Sequence, residues 1–135
     1  MSRSSFSAAR NCVAVLALCT GAAAFAQMPS MQGEGAARHV CGGIGSDEST
    51  AMRAAMKSHP LSLLFARPDG GYLADVAVAI TDGSGASALK LRAGGPVCLI
   101  DLPAGNYTVE ATSDGVSKRQ TVSLGGTPRT LDFRF

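Results

Sequence analysis

The strongest constraint on the fold is a change of hydrophobic period at Pro60. Beyond this residue, apolar side chains recur at every second position in short runs, and each run ends in a turn rich in Gly, Pro, Asn or Asp. Such alternation predicts strands with one buried face. The runs cover residues 61–66, 72–81, 89–92, 97–102, 106–112, 116–124 and 131–135. Seven short strands with close turn signals predict an all-β fold, a seven-stranded antiparallel β-sandwich of Greek-key type.

One short α-helix is expected before the strands, over residues 46–60. Ser46 is a candidate N-cap, Asp47 and Glu48 suit the positive helix N-terminus, and Lys57 suits the other end. Pro60 ends the helix. A single apolar stripe at helical spacing contains Met52, Ala55, Met56 and His59.

Residues 1–26 carry the pattern of a secretory signal peptide. Arg3 and Arg10 form a basic start, residues 13–25 are almost wholly apolar, and residues 24–26 (Ala-Phe-Ala) offer a small-residue cleavage site. The apolar run is too short to span a bilayer. We therefore expect Sec-type export, a periplasmic or secreted product, and no membrane insertion after cleavage.

The exported part is expected to be one nearly neutral domain. The chain has 12 Lys and Arg against 10 Asp and Glu, and Arg3 and Arg10 lie in the signal. A neutral domain has no basic field to attract nucleic acid. Residues 27–45 are rich in Gly, Ser, Pro and Ala without a hydrophobic period, which is typical of a flexible leader. The sandwich domain is then expected over residues 61–135.

Two cysteines remain after signal cleavage. Cys12 and Cys19 leave with the signal, whereas Cys41 and Cys98 stay. In an oxidising compartment, a distant pair of this kind favours a disulfide. The alternative is two buried free thiols.

The segment that joins the fourth and fifth predicted strands, Leu102-Pro-Ala-Gly-Asn-Tyr107, has the composition of a structural corner. Pro103 cannot donate to a strand ladder, and Gly105 permits a turn with positive φ. In β-sandwiches, a tyrosine placed like Tyr107 can direct its hydroxyl group back to an upstream backbone group, an arrangement known as a tyrosine corner. Such a corner requires no ligand.

Residues 72–85 (YLADVAVAITDGSG), followed by residues 102–111 (LPAGNYTVEA), resemble carboxypeptidase regulatory-like domains. These are transthyretin-like β-sandwiches related in fold to starch-binding modules. The resemblance covers residues 61–135. It implies a non-catalytic module, because such domains accompany a separate catalytic zinc domain in the carboxypeptidases. The order of Gly-rich leader, helix and single sandwich is similar to small exported proteins of Gram-negative bacteria.

Two binding chemistries are alternatives to an unspecified protein partner. Tyr72 is a candidate aromatic platform for a carbohydrate, since the related fold hosts such sites and Tyr107 is assigned to the corner. A second alternative is a soft-metal (copper) site at His39 and Cys41 with Met28 and Met31, because thioether, thiolate and imidazole ligands favour Cu(I) or zinc. The cysteine pairing competes with that site, so we expect no resident metal or cofactor.

The sequence therefore predicts an exported, non-catalytic β-sandwich module that binds a protein or glycan in the cell envelope. Catalysis is not expected, because neither His39 nor His59 belongs to a recognised Ser or Cys nucleophile motif. The aspartates at strand ends and turns, where Asp is structurally favoured, are Asp75, Asp82, Asp101 and Asp114.

Overall fold

The structure, a computed structural model, describes residues 28–135; the signal peptide predicted for residues 1–26 lies outside the described residues. The described part contains one α-helix, a following 3₁₀ turn and nine strands. The elements are β1 (Gln32–Glu34), β2 (Ala37–Gly42), α1 (Ser46–Ala55), the 3₁₀ turn (Met56–Ser58), β3 (Leu61–Ala66), β4 (Val76–Asp82), β5 (Ser87–Ala93), β6 (Val97–Asp101), β7 (Gly105–Ser113), β8 (Val116–Leu124) and β9 (Arg129–Arg134). Within residues 28–135, no helix is long and apolar enough to cross a membrane.

The strands form two sheets. The five-stranded sheet has the order β1-β2-β6-β3-β9, and the four-stranded sheet has the order β5-β4-β7-β8. Neighbouring strands are antiparallel except for the parallel pair β3–β9. The prediction of an all-β, sandwich-like architecture with one short helix is confirmed. The number of strands is corrected from seven to nine, since β3–β9 correspond to the seven predicted runs and β1 and β2 are additional.

Both additional strands lie in the segment that was predicted to be a flexible leader, residues 27–45. β2 pairs antiparallel with β6, which places Cys41 directly opposite Cys98. β1 pairs with β2. The partner that orders β2 is far away in sequence, so a local search for hydrophobic periodicity does not detect it.

The main core lies between the two sheets. Side chains that alternate along β3, β4 and β7 face it, and the rings of Phe65 and Phe133 stack with their centroids 5.8 Å apart. Phe65 and Phe133 are direct neighbours in the parallel β3–β9 pair. The fully buried members with the largest side chains include Phe65, Phe133, Leu61, Leu63, Ile80, Ile100, Val76 and Val109.

A second, smaller core lies on the outer face of the five-stranded sheet, under α1. Met52 is completely buried there against Val40, Val97 and Leu99. Met52, Ala55 and Met56 of the predicted apolar stripe therefore pack on the sheet, whereas His59 lies beyond the 3₁₀ turn.

The N-terminus of α1 differs from the prediction. The N-cap is Gly45, with φ 80° and no side-chain cap hydrogen bond, and Ser46 is the first helical residue. The carboxylate of Glu48, in the first turn, instead accepts a hydrogen bond of 2.7 Å from the backbone N–H of Gly43. A first-turn carboxylate that reaches back to the preceding backbone satisfies a free donor, as in a capping box.

Cys41 and Cys98 form the predicted disulfide, with an S–S distance of 2.02 Å and a Cα–Cα distance of 4.1 Å. The bridge joins two adjacent strands and closes a loop whose ends are 57 residues apart in sequence. It connects the N-terminal segment covalently to the buried strand β6. Removing the bridge increases the conformational entropy of the unfolded chain and so destabilises the folded state.

We predict that the double variant Cys41→Ala/Cys98→Ala loses about 4 kcal/mol of unfolding free energy, as the loop length implies. Urea denaturation followed by circular dichroism measures this loss. The reduced wild-type protein is the matched control and should resemble the variant. A loss below about 1 kcal/mol would contradict the stabilising role of the bridge.

Candidate functional site

The segment between β6 and β7 is closed by a hydrogen bond. The hydroxyl group of Tyr107 donates to the carbonyl oxygen of Pro103 at 2.7 Å. Tyr107 and Leu102 are both buried in the main core, and Gly105 between them has φ 157°. The polar end of Tyr107 is thus occupied by its own loop, which is an architectural role.

Tyr72, the candidate carbohydrate platform, is one of the most exposed large apolar side chains of the described residues. It is 63% exposed, and its backbone forms an isolated antiparallel bridge with Ala66. Residues paired across a bridge point to the same side of a sheet. Ala66 follows the inward-facing Phe65, so Tyr72 lies on the outer side of the five-stranded sheet.

The four residues of the predicted soft-metal site do not come together. The Cys41 sulfur is committed to the disulfide. His39 lies two residues before Cys41 on β2, on the face toward the main core, whereas Met28 and Met31 pack in the core under α1. Residues 28–135 contain no group of three or more His, Cys, Asp and Glu side chains placed to hold a metal ion.

His39 is instead a partly buried imidazole. Its Nδ1 atom is buried and has no hydrogen-bond partner among the described residues. Burial disfavours the charged form and lowers the pKa of His39 below its ordinary value of 6.5. Burial within the sheet therefore favours the neutral form of His39.

Asp82 organises the turn between β4 and β5. Its Oδ1 atom accepts hydrogen bonds from the hydroxyl group of Ser84 at 2.6 Å, from the backbone N–H of Ser84 at 2.9 Å and from that of Ala86 at 3.1 Å. The Ser84 hydroxyl bond is the main cause of the lowered pKa of Asp82. The hydrogen bonds of this carboxylate therefore stabilise the turn.

Asp101 has a contact that the sequence did not reveal. Its Oδ1 atom lies 2.7 Å from Nδ1 of His59. The two residues are 42 positions apart. Only the antiparallel placement of β6 beside β3 brings the end of β6 next to the residues that precede β3. The local sequence placed His59 only in the apolar stripe of the helix and next to Pro60, and neither signal indicates Asp101.

A concave surface with apolar walls lies at the end of the sandwich opposite the Tyr107 corner, and we call it the end pocket. It has a volume of about 460 Å³, within the range of small-ligand sites. Its apolar surface comes from Leu73, Val116 and Phe135, and Val116 is 51% exposed. The remaining lining residues are Arg67, Pro68, Asp69, Ser113 and Asp114.

Two tight turns hold the end pocket open. In the turn after β3, the backbone N–H of Arg67 donates to the Gly71 carbonyl at 2.8 Å, and Asp69 Oδ1 accepts from the Gly71 N–H at 2.9 Å. Asp114 and Gly115 have φ of 47° and 76°, which fits the two-residue hairpin turn expected from their sequence. A pocket framed by such turns is largely preformed.

The wall formed by Phe135 is also anchored. The backbone N–H of Phe135 donates to the Ala66 carbonyl at 3.1 Å, and the Lys118 ammonium lies 5.8 Å from the centre of the Phe135 ring. That distance suits a cation–π contact. The sequence pattern placed Val116 and Phe135 only as strand residues; the position of Val116 directly after the hairpin turn was the one available signal of its exposure.

No protein-family model matches this chain, and no curated protein matches it in sequence. The resemblance of residues 61–135 to carboxypeptidase regulatory-like domains therefore stays a prediction.

We predict that Tyr107→Phe lowers the free energy of unfolding by about 1–2 kcal/mol, because the Pro103 carbonyl loses its donor while the ring is kept. Chemical denaturation of the purified variant measures the change. Tyr72→Phe is the matched control: it removes a hydroxyl group from an exposed ring and should change nothing. If both variants were equally stable, the Tyr107 hydrogen bond would not contribute to the free energy of unfolding.

His39 predicts a pH dependence of stability. Because its pKa is lower in the folded than in the unfolded chain, the unfolded chain binds more protons between these two values. Its contribution to stability is complete above pH 6.5, the unfolded value, and is lost as the pH falls from there through the folded pKa.

An NMR titration of the His39 ring should give a midpoint below 6.5. His39→Gln should remove this part of the pH dependence from urea-unfolding data. A midpoint at or above the unfolded value would refute the burial argument.

Proposed function

We propose that this chain is an exported, non-catalytic binding module, and that a protein partner in the cell envelope inserts an apolar group into the end pocket. The observation that carries the proposal is the preformed pocket itself, with Leu73, Val116 and Phe135 presented between two rigid turns. Exposed apolar side chains rimmed by polar residues are typical of interaction sites.

The charges around the pocket give the partner a definite character. Arg67 and Lys118 are basic, Asp69 and Asp114 are acidic, and all four are exposed. This balanced rim suits a peptide segment in which an apolar residue is flanked by charges of both signs, since complementary rim charges contribute specificity.

One observation supports the exported part of the proposal. The Cys41–Cys98 disulfide is the kind of bond that persists in oxidising compartments, in agreement with the signal pattern of residues 1–26.

The finer fold assignment belongs to the same proposal. We infer that β3–β9 form a Greek-key sandwich of the transthyretin-like kind. The strand orders β6-β3-β9 and β5-β4-β7-β8 support it, together with four connections that pass from one sheet to the other.

A carbohydrate-binding module of starch-binding-like fold is the second candidate. The exposure of Tyr72 favours it, because sugars stack on accessible aromatic rings. Tyr72 lies outside the end pocket, so variants can separate the two functions.

The test is chemical-shift mapping by NMR on the purified, oxidised protein. One panel contains short peptides with an apolar residue between charges, and the other contains soluble oligosaccharides, each at up to about 1 mM to detect weak binding. We expect a peptide to shift the backbone amides of residues 67, 69–71 and 114–116.

Matched variants decide between the candidates. Val116→Asp should abolish the peptide shifts and Tyr72→Ala should preserve them, if the end pocket is the site. If an oligosaccharide instead produced shifts centred on residue 72 that were lost in Tyr72→Ala, carbohydrate binding would replace peptide binding as the function. No response to either panel would contradict both.

A further inference from the structure

All methionines of the chain other than Met1 gather in one place. Met28, Met31, Met52 and Met56 all belong to the core under α1. They come from three separate segments: the stretch before β1, the helix and the 3₁₀ turn. Met52 is completely buried, whereas the other three are only partly buried and remain accessible.

The register of the five-stranded sheet shows how these side chains line up. On the outer face, Val40 lies opposite Leu99, and Met31 directly precedes Gln32, which pairs with His39. Met31 therefore extends the row of Val40 and Leu99. α1 packs on this face, and Met56 contacts the same core as Val40 and Leu99.

His59 follows Met56 by three residues, and its ring contacts Asp101 on the same outer face of the sheet. Asp101 is two residues beyond Leu99 on β6, on the same outer face. The bond from its carboxylate to Nδ1 of His59 is 2.7 Å, and the side chain of His59 is 18% exposed. A carboxylate that accepts from Nδ1–H fixes the imidazole tautomer whose Nε2 atom carries the free lone pair. That arrangement is the usual second shell of a metal-binding histidine.

We propose that the thioether sulfurs of Met28, Met31 and Met56, together with Nε2 of His59, form a binding site for a soft monovalent cation, Cu(I) or its analogue Ag(I). Thioethers are neutral, soft donors that select such ions over Mg²⁺, Ca²⁺ or Mn²⁺. The site is independent of the end pocket. It also differs from the soft-metal site predicted from sequence, because it uses neither His39 nor Cys41.

The disulfide is compatible with this chemistry. With Cys41 and Cys98 oxidised, the described residues hold no free thiolate to compete for a soft ion. The thioethers and the imidazole are then the soft donors present, and Met28, Met31 and Met56 are each only partly buried.

The test is calorimetric titration of the purified, oxidised protein with Ag(I), which needs no reductant and leaves the disulfide intact. Spectra of the ¹³C-labelled methionine methyl groups are recorded in parallel. We expect one Ag(I) per chain, with the methyl signals of Met28, Met31 and Met56 shifting together. Zn(II) should bind far more weakly.

The variants distinguish ligation from packing. Met31→Leu and Met56→Leu keep the apolar volume, so circular dichroism should show unchanged folding while Ag(I) affinity falls at least about tenfold. If either of these variants fails to fold, Met28→Leu, in the segment before β1, replaces it in the test. Asp101→Ala should weaken binding about 10–100-fold through His59.

His39→Ala is the matched control and should bind like the wild type. The proposal would be overturned if the protein did not bind Ag(I), or if it bound Zn(II) as strongly as Ag(I). It would also be overturned if all three Met→Leu variants bound Ag(I) as tightly as the wild type. Loss of binding in His39→Ala would overturn it as well.

Discussion

The structure depends on β6, a strand buried on both faces. Val97, Cys98, Leu99 and Ile100 have no exposed surface. Val97 and Leu99 belong to the core under α1, while Cys98 and Ile100 belong to the core between the sheets. Full burial of an aliphatic side chain of this size contributes about 1.5–3 kcal/mol. Since β6 also pairs with β2 and β3, the helix, the N-terminal strands and the sandwich all require it to be in place.

The Tyr107 corner and the end pocket lie at opposite ends of β7. Its first residues lie next to the Tyr107–Pro103 hydrogen bond, and its last residue enters the Asp114–Gly115 turn that frames the end pocket. One end of the sandwich thus contains the Tyr107–Pro103 hydrogen bond, whereas the other presents Val116 to solvent. The proposed methionine site lies on a third surface, the outer face under α1.

Local chemistry made much of the fold predictable from the sequence. Alternation and turn residues located β3 at residues 61–66 and β8 at residues 116–124 with the bounds that the structure has. The pairing of Cys41 with Cys98 followed from the compartment and the cysteine count. β2 was missed because its order comes from pairing with β6, a contact invisible to local periodicity. Ser46 was misplaced by one position because Gly45 takes the cap with a positive φ.

The sites were less predictable, because they depend on which residues the topology brings together. His59 and Asp101 are unremarkable as isolated residues, yet they meet at 2.7 Å. From the sequence, Met28 and Met31 were candidate ligands beside His39 and Cys41, but both pack with Met56 in the core under α1. The end pocket forms because the fold brings two turns and the Phe135 side chain together, and no single sequence motif predicts this arrangement.

Native-state hydrogen exchange tests the central claim most directly, because it reports the opening free energy of each strand separately. If β6 links the two cores, the amides of residues 97–100 should exchange only by global unfolding. The amides of β2 that pair with β6 should follow at the same free energy in the oxidised protein. If residues 97–100 exchanged through an opening of lower free energy while β4 and β7 stayed protected, β6 would not be the strand that links the two cores.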